Sequence, residues 1–475
     1  MLWGVIAHFS SRVARFAAAI AVGVLPWLTV PVAAAPPAQL APLSPVQQAT
    51  GAKAVEAGLN NLLDRYAQNL EPAPLLHAAW VSALESAPEP LRKTEPVEPI
   101  GGDRATAWTE FQRRFDRLVA NGADPNALSQ AANRGMARSL EDCHTRFAPS
   151  YDKELASYDG GERYGGIGAS ALDPVRVDTA APGPVIVSIV DGGPASVAGL
   201  RLGDAVTGVD GVDVSGWVNS RVVELVRGVP GTTVQLRVDR PGVVEPLEIA
   251  IERAEIESTL VEARLIHGED GITGYVQLKG FARSVEPVLP RVFEELHAQG
   301  ATTWVLDLRN NGGGSVPTFA SVASMFIKEG TLGVTTDRNG AETLISTVRT
   351  GGASGHKEYA RPLAVLVNSL SASASELLAA DLQEYGAGRV FGETTAGCFG
   401  NSQLFRLPDG SAMWITVRAL QSGLARRDVH KLGVTPDEVV PRTRLDLARG
   451  DDPQLGAALT WLATSGVAAA SGTGN

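Results

Sequence analysis

The sequence predicts an α/β protein: a mixed α/β core, an inserted glycine-rich β domain ahead of it, and a helical N-terminal segment before both. Three observations lead there. Apolar residues recur at three- and four-residue spacing from about Ser44 to Leu140; glycine becomes frequent from Gly160, with short β-branched runs between turns; and strand and helix patterns alternate from Ile256 to Arg442. With 475 residues, 44% of them hydrophobic, the chain is long enough for two or three domains with separate cores. A net charge of -11, with Lys and Arg scattered among more numerous carboxylates, argues against nucleic-acid partners.

The N-terminus reads as an export signal. Arg12 and Arg15 precede an apolar run from Phe16 to Val30, and Ala33 and Ala35 stand before Pro36, so residues 1–35 are expected to be removed by cleavage after Ala35. The alternative is an uncleaved anchor, but the run is short for a bilayer and Pro26 interrupts it. The expected location is outside the cytoplasm, periplasmic or secreted, where disulfides are permitted. Only two cysteines occur, Cys143 and Cys398.

Residues 36–159 are expected to form the helical region. Proline-rich "APPAQLAPLSP" is a linker, Ser44 followed by Pro45 is an N-cap with proline in the first turn, and "AVEAGLNNLLDRYAQNL" and "AWTEFQRRFDRLVANG" carry apolar stripes. Nothing in this region suggests chemistry, and its stripes suit packing or a homodimer contact.

Residues 160–255 form the β domain. "PVIVSIVDGGPASVAGLRLGDAVTGVDGVDVSGW" predicts strands at Val185 to Val190 and Ala205 to Val209 around a short helix at Pro194 to Ala198. "NSRVVELVRG" then reads as a helix and "TTVQLRVDR" as a strand. This order resembles a PDZ domain of the circularly arranged type found in bacterial proteases. In such domains an extended peptide joins a sheet edge and backbone amides hold its terminal carboxylate. The resemblance assigns that role to Gly166, Ile167 and Gly168 of "YGGIGA", or leaves the loop as a simple turn.

Residues 256–460 form the α/β core. "GITGYVQLKGF", "TTWVLDLRNN" and "LAVLVNS" read as strands, "EPVLPRVFEELHAQG" and "SELLAADLQEYG" as helices, and residues 461–475 as a tail that ends without structure. A serine between a buried strand and a helix sits at the edge of the sheet, as "SASAS" does here. Glycine-rich "NNGGGS" after another buried strand can present free amides at the same edge.

Taken together, "GYVQLKGF", "VLDLRNNGGG", "LVNSLSASASELLAADLQEYG", "GETTAG", "LPDGSAMWIT", "GVTPDEVV" and "DCHTRF" resemble the carboxy-terminal processing, or tail-specific, proteases over roughly residues 140 to 460. The resemblance implies a core of ClpP/crotonase-like type and an exported serine endopeptidase acting on the C-terminus of an unfolded or processed protein. It places the nucleophile at Ser373, the oxyanion donors at the amides of Gly313 or its neighbour and of Ala374, and supporting roles at Glu384 and Gln403. Ser371 and Ser375 are expected to pack at the corner.

The general base departs from the family pattern. Where these proteases carry a lysine in a Thr-x-Gly-Lys stretch, this chain reads "TTAGCFGNSQ" with Cys398, and no lysine occurs from Arg361 to His430. Related tricorn-type proteases pair their serine with a histidine from a stretch resembling "DCHTRF", which would make His144 the base, oriented by Glu376 or Glu384. The other readings are a structural histidine and a catalytically inactive member that binds peptides or other ligands, as related domains do in a vertebrate retinoid-binding protein. In the family fold Cys143 and Cys398 lie near Ser373, either as a disulfide or as two separate thiols. Because "DCH" offers at most two ligands and "NNGGGS" lacks a phosphate loop's lysine and threonine, no metal and no cofactor are expected.

Overall fold

The structure is a computed structural model that describes residues 45–471 apart from 159–162, 178–179, 258, 270 and 349–361. The expected export signal, residues 1–35, falls outside the described residues.

The core is a six-stranded sheet in the order Val261–Gly268, Gly271–Leu278, Thr303–Asp307, Leu363–Val367, Arg389–Gly392 and Glu438–Val439; the first pair is antiparallel and the rest parallel. Its central strands are apolar on both faces because both faces are covered. Val276, Leu306, Val365 and Val390 point to the side of helices Leu289–Ala298, Val316–Ala323 and Ala374–Glu384. Their neighbours Tyr275, Val305, Ala364, Leu366 and Phe391 pack on Ala458 and Leu462 of the helix Pro453–Ser471. That helix corrects the expectation for the tail as far as Ser471, since the alanine-rich stretch from Ser465 continues it; residues 472–475 lie outside the described residues.

A second sheet is built around the long strand Ala412–Ser422, paired with Arg146–Ala148, Asn401–Arg406 and Thr331–Thr336; Glu342–Ser346 follows as the edge. The N-terminal helices Pro45–Arg65, Pro72–Ser86, Arg104–Ala120 and Pro125–Ser139 cover it, with Leu62, Trp80, Phe111, Phe115 and Met136 packed together with Leu407, Met413 and Ile415. The stripes read from the sequence are therefore buried within this chain. Asp103 and Asp124 cap two of these helices by accepting the amides of Thr106 and Asn126.

The inserted domain has its own sheet, Ala169–Leu172, Val185–Ile189, Ala205–Val209, Thr233–Asp239 and Leu247–Glu252, around Ile186, Val206, Leu236 and Ile251. Strands Arg163–Gly166 and Ala254–Glu257 pair antiparallel and close the insertion where the chain enters and leaves. Two arginines tie it to the core. Arg444 donates to the carbonyls of Gly203 and Asp239, and Arg176 donates to the carbonyl of Ser369 at 2.6 Å, directly on the serine turn.

Candidate active site

The serine turn follows from its two flanking elements. Leu363–Val367 is wholly buried, the chain reverses through Asn368 to Ser373, and helix Ala374–Glu384 returns under the sheet. Ser373 has φ 56° and ψ -116°, a positive-φ conformation that is strained for any residue with a Cβ. It persists because its surroundings over-determine it. The Ser373 amide donates to the Cys398 carbonyl at 3.0 Å and to Glu376 Oε2 at 2.9 Å. Ser371 Oγ donates to the Leu308 carbonyl and Ser375 Oγ to the Asn311 carbonyl, so both buried hydroxyls bind the adjacent loop.

The glycine-rich loop lies against this turn. A Cβ built on Gly313 would meet Ser373 Cβ at 2.7 Å and Ala374 N at 2.9 Å, so no side chain fits there. Across the two loops the Asn310 backbone amide donates to Asn368 Oδ1, and Asn368 Nδ2 donates to Asn310 Oδ1. One expectation needs correction: the Gly313 amide donates to Asn311 Oδ1 at 2.9 Å and is engaged in this conformation. Its neighbour Gly314 has no acceptor for its amide among the described residues. Ala374, first residue of its helix, has no intrahelical carbonyl for its own amide.

Glu376 organises the site from beneath. Fully buried, it accepts from Ser373 N and Cys398 N on Oε2 and from Thr395 Oγ1 and Gly397 N on Oε1. Burial pushes its pKa up, and these four donors oppose the shift. With every lone-pair direction in use, Glu376 does not orient an imidazole. Nor does Glu384, which binds Ser422, Ala425 and Arg427 at the far end of the helix. Gln403 is exposed on the strand Asn401–Arg406 and hydrogen-bonds none of these residues.

His144 reaches this place through the pairing of Arg146–Ala148 with Ala412–Trp414. Asp142 shapes its loop by accepting the His144 amide at 3.0 Å and Thr145 Oγ1 at 2.7 Å; its carboxylate therefore holds the backbone of His144. Cys143 and Cys398 are joined as a disulfide, Cα to Cα 5.8 Å, and both sulfurs lie 3.5 Å from His144 Nδ1. Among the described residues no hydrogen bond joins the Ser373 hydroxyl to the imidazole. Burial lowers the His144 pKa; Asp142 works against the shift, and His430 and Arg146 add to it. His430, which the sequence reading did not single out, has a buried Nδ1 without a hydrogen-bond partner.

In the inserted domain, Gly166, Ile167 and Gly168 are buried, and the amides of Ile167 and Gly168 have no acceptor among the described residues. Gly168 takes φ 71°. The adjoining edge strand Ala169–Leu172 faces helix Asn219–Val226, and Asn219 Nδ2 donates to the Ala171 carbonyl at 2.7 Å. A peptide joining this edge would compete with that bond.

Comparison with known proteins agrees with this architecture. Residues 272–440 match the model for peptidase family S41, and residues 159–239 match the PDZ domain. The carboxyl-terminal-processing protease of a Picosynechococcus species is 32% identical over 66% of this chain and 73% of its own. That of a Synechocystis species is 34% identical over 60% of this chain and 66% of its own. The solved photosystem II D1 C-terminal processing protease superposes with a TM-score of 0.56 at 25% identity, covering 87% of this chain and 97% of that one. The chain thus belongs to the carboxyl-terminal-processing proteases of peptidase family S41, serine-type peptidases, and carries a PDZ domain inserted ahead of its core.

Proposed function

We propose that the chain is an exported endopeptidase that cuts polypeptides recognised at their C-terminus, through an acyl-enzyme on Ser373 with His144 as general base. The observation that carries this reading is the strained Ser373 turn beside the Ala374 amide, with His144 packed against residue 398, the family's lysine position. In the proposed reaction His144 takes the Ser373 Oγ proton as the serine attacks the scissile carbonyl. The amides of Ala374 and Gly314 receive the developing oxyanion. His144 then protonates the leaving amine, and water releases the acyl group by the reverse proton path.

Neutral imidazole is the form a base requires, and burial favours it. The imidazole must turn from the sulfurs toward Ser373, a tightening that substrate commonly brings about in such sites. The PDZ domain delivers the substrate: its free amides suit a terminal carboxylate, and Arg176 links the domain to the serine turn. A disulfide suits the oxidising compartment that the N-terminal signal implies.

The engaged Gly313 amide and the missing Ser373–His144 hydrogen bond favour a second reading, a family member that binds C-terminal peptides without cutting them. A peptide with a free C-terminus, assayed beside its C-terminal amide and with Ser373→Ala as control, separates the two. The endopeptidase reading expects faster cutting of the free acid and none by the variant. Equal rates for acid and amide would remove the delivery role, and tight binding without cutting would establish the second reading.

A further inference from the structure

The sequence set metal aside because "DCH" offers too few ligands, but the fold brings a third soft donor to the same place. Cys143 Sγ, His144 and Cys398 Sγ present ligand atoms that all lie within 4.8 Å of one another. We propose that reduction of the Cys143–Cys398 disulfide converts this corner into a binding site for one thiophilic divalent cation such as Zn2+, held by the two thiolates and His144 Nδ1.

The geometry is close to what such an ion requires. Tetrahedral zinc with metal–sulfur bonds of about 2.3 Å and metal–nitrogen bonds of about 2.0 to 2.1 Å sets its sulfur and nitrogen ligands roughly 3.6 Å apart. Here both sulfurs lie 3.5 Å from Nδ1, so the imidazole already stands at ligand distance from each. Cys398 Sγ also lies 3.8 Å from Nε2 and so stands over the ring; the imidazole must turn its Nδ1 lone pair toward the sulfurs, and the sulfurs must separate to about 3.8 Å for tetrahedral thiolates. Cys143 and His144 are consecutive, and the Asp142 turn fixes their backbone. Cys398 is held on both sides, its amide by Glu376 and its carbonyl by the Ser373 amide. The ligands therefore need little reorganisation beyond side-chain rotation.

The redox step balances. An external dithiol gives up two electrons and two protons, becomes a cyclic disulfide, and leaves Cys143 and Cys398 as thiols. Cys143 is exposed, so its sulfur is within reach of such a reductant. Metal binding then releases two thiol protons, and neutral His144 supplies its lone pair. A water would supply the fourth ligand of a tetrahedral ion. A soft N/S donor set selects zinc, or cobalt as its probe, over magnesium and calcium.

Cobalt(II) reports this site without relying on peptidase activity. The full chain, reduced with a phosphine and titrated anaerobically, should take up one cobalt with a thiolate-to-metal charge-transfer band, and zinc should displace it. The oxidised chain should give no band. His144→Ala, which keeps both thiols, should weaken cobalt binding by at least roughly tenfold. Intact-mass alkylation guards against misfolded variants, since zinc should protect both thiols of the reduced wild-type chain. The proposal is overturned by a reduced chain that shows no band, by an oxidised chain that binds equally, by His144→Ala matching wild type, or by thiols alkylated at the same rate with zinc present.

Discussion

Glu376 accepts the backbone amide of Ser373 at 2.9 Å, and the same carboxylate accepts the amides of Gly397 and Cys398 and the Thr395 hydroxyl. The serine turn and the loop that carries residue 398 are thereby fixed to one buried anion. Glu376→Gln puts an NH2 group where two donors converge, whichever way the amide faces. We expect a loss of about 2 to 3 kcal/mol in denaturant unfolding, with lower activity at unchanged substrate binding. Wild-type stability in that variant would show that the carboxylate is replaceable.

Ser373 bears backbone strain that glycine would not. Ser373→Gly should raise stability by on the order of 1 kcal/mol while removing the proposed nucleophile, whereas Ser373→Ala keeps the strain and gains nothing. Thermal unfolding of the two variants side by side checks this; equal midpoints would mean that φ 56° costs little here.

For His144 the sign of the pH effect follows from burial. Its folded pKa lies below the ordinary histidine value, so the folded state holds this proton less readily than the unfolded chain. The stability it contributes is fully present above about pH 6.5 and is lost as pH falls through that value toward the folded pKa. As the base, it should place the acid limb of kcat/KM below about pH 6.5. An acid limb well above that value would point to another group.

Asn219 occupies the Ala171 carbonyl on the edge that a bound peptide would use. Removing one such bond, worth about 1 kcal/mol, should tighten binding of a C-terminal peptide about fivefold in Asn219→Ala. Fluorescence anisotropy with a labelled peptide reads this, and weaker binding would show that Asn219 contacts the ligand instead.

Where burial alone decides structure, the sequence was legible. "WVL" of Trp304 to Leu306 and "LAVLV" are apolar because both sheet faces are covered, and the PDZ strands and helices appear within a residue or two of their expected bounds. Ser-Ala-Ser-Glu at Ser373 to Glu376 is also a capping-box pattern, a signal that could have assigned Glu376 to backbone amides. Tertiary placement was not legible in the same way. His430 bears on His144 only because the chain returns past Gly397, where Lys431 N donates to the Gly397 carbonyl. The third metal-competent donor beside "DCH" likewise comes from 254 residues away. Periodicity carries no information about such approaches.

The most direct test of the central claim is a time course of cleavage of an unfolded protein by the wild-type chain, Ser373→Ala and His144→Ala, each first shown to be folded by circular dichroism. Cleavage by wild type and its loss in both variants is the expected result. Undiminished cleavage by His144→Ala would contradict the assignment of the base, and undiminished cleavage by Ser373→Ala would contradict the nucleophile itself.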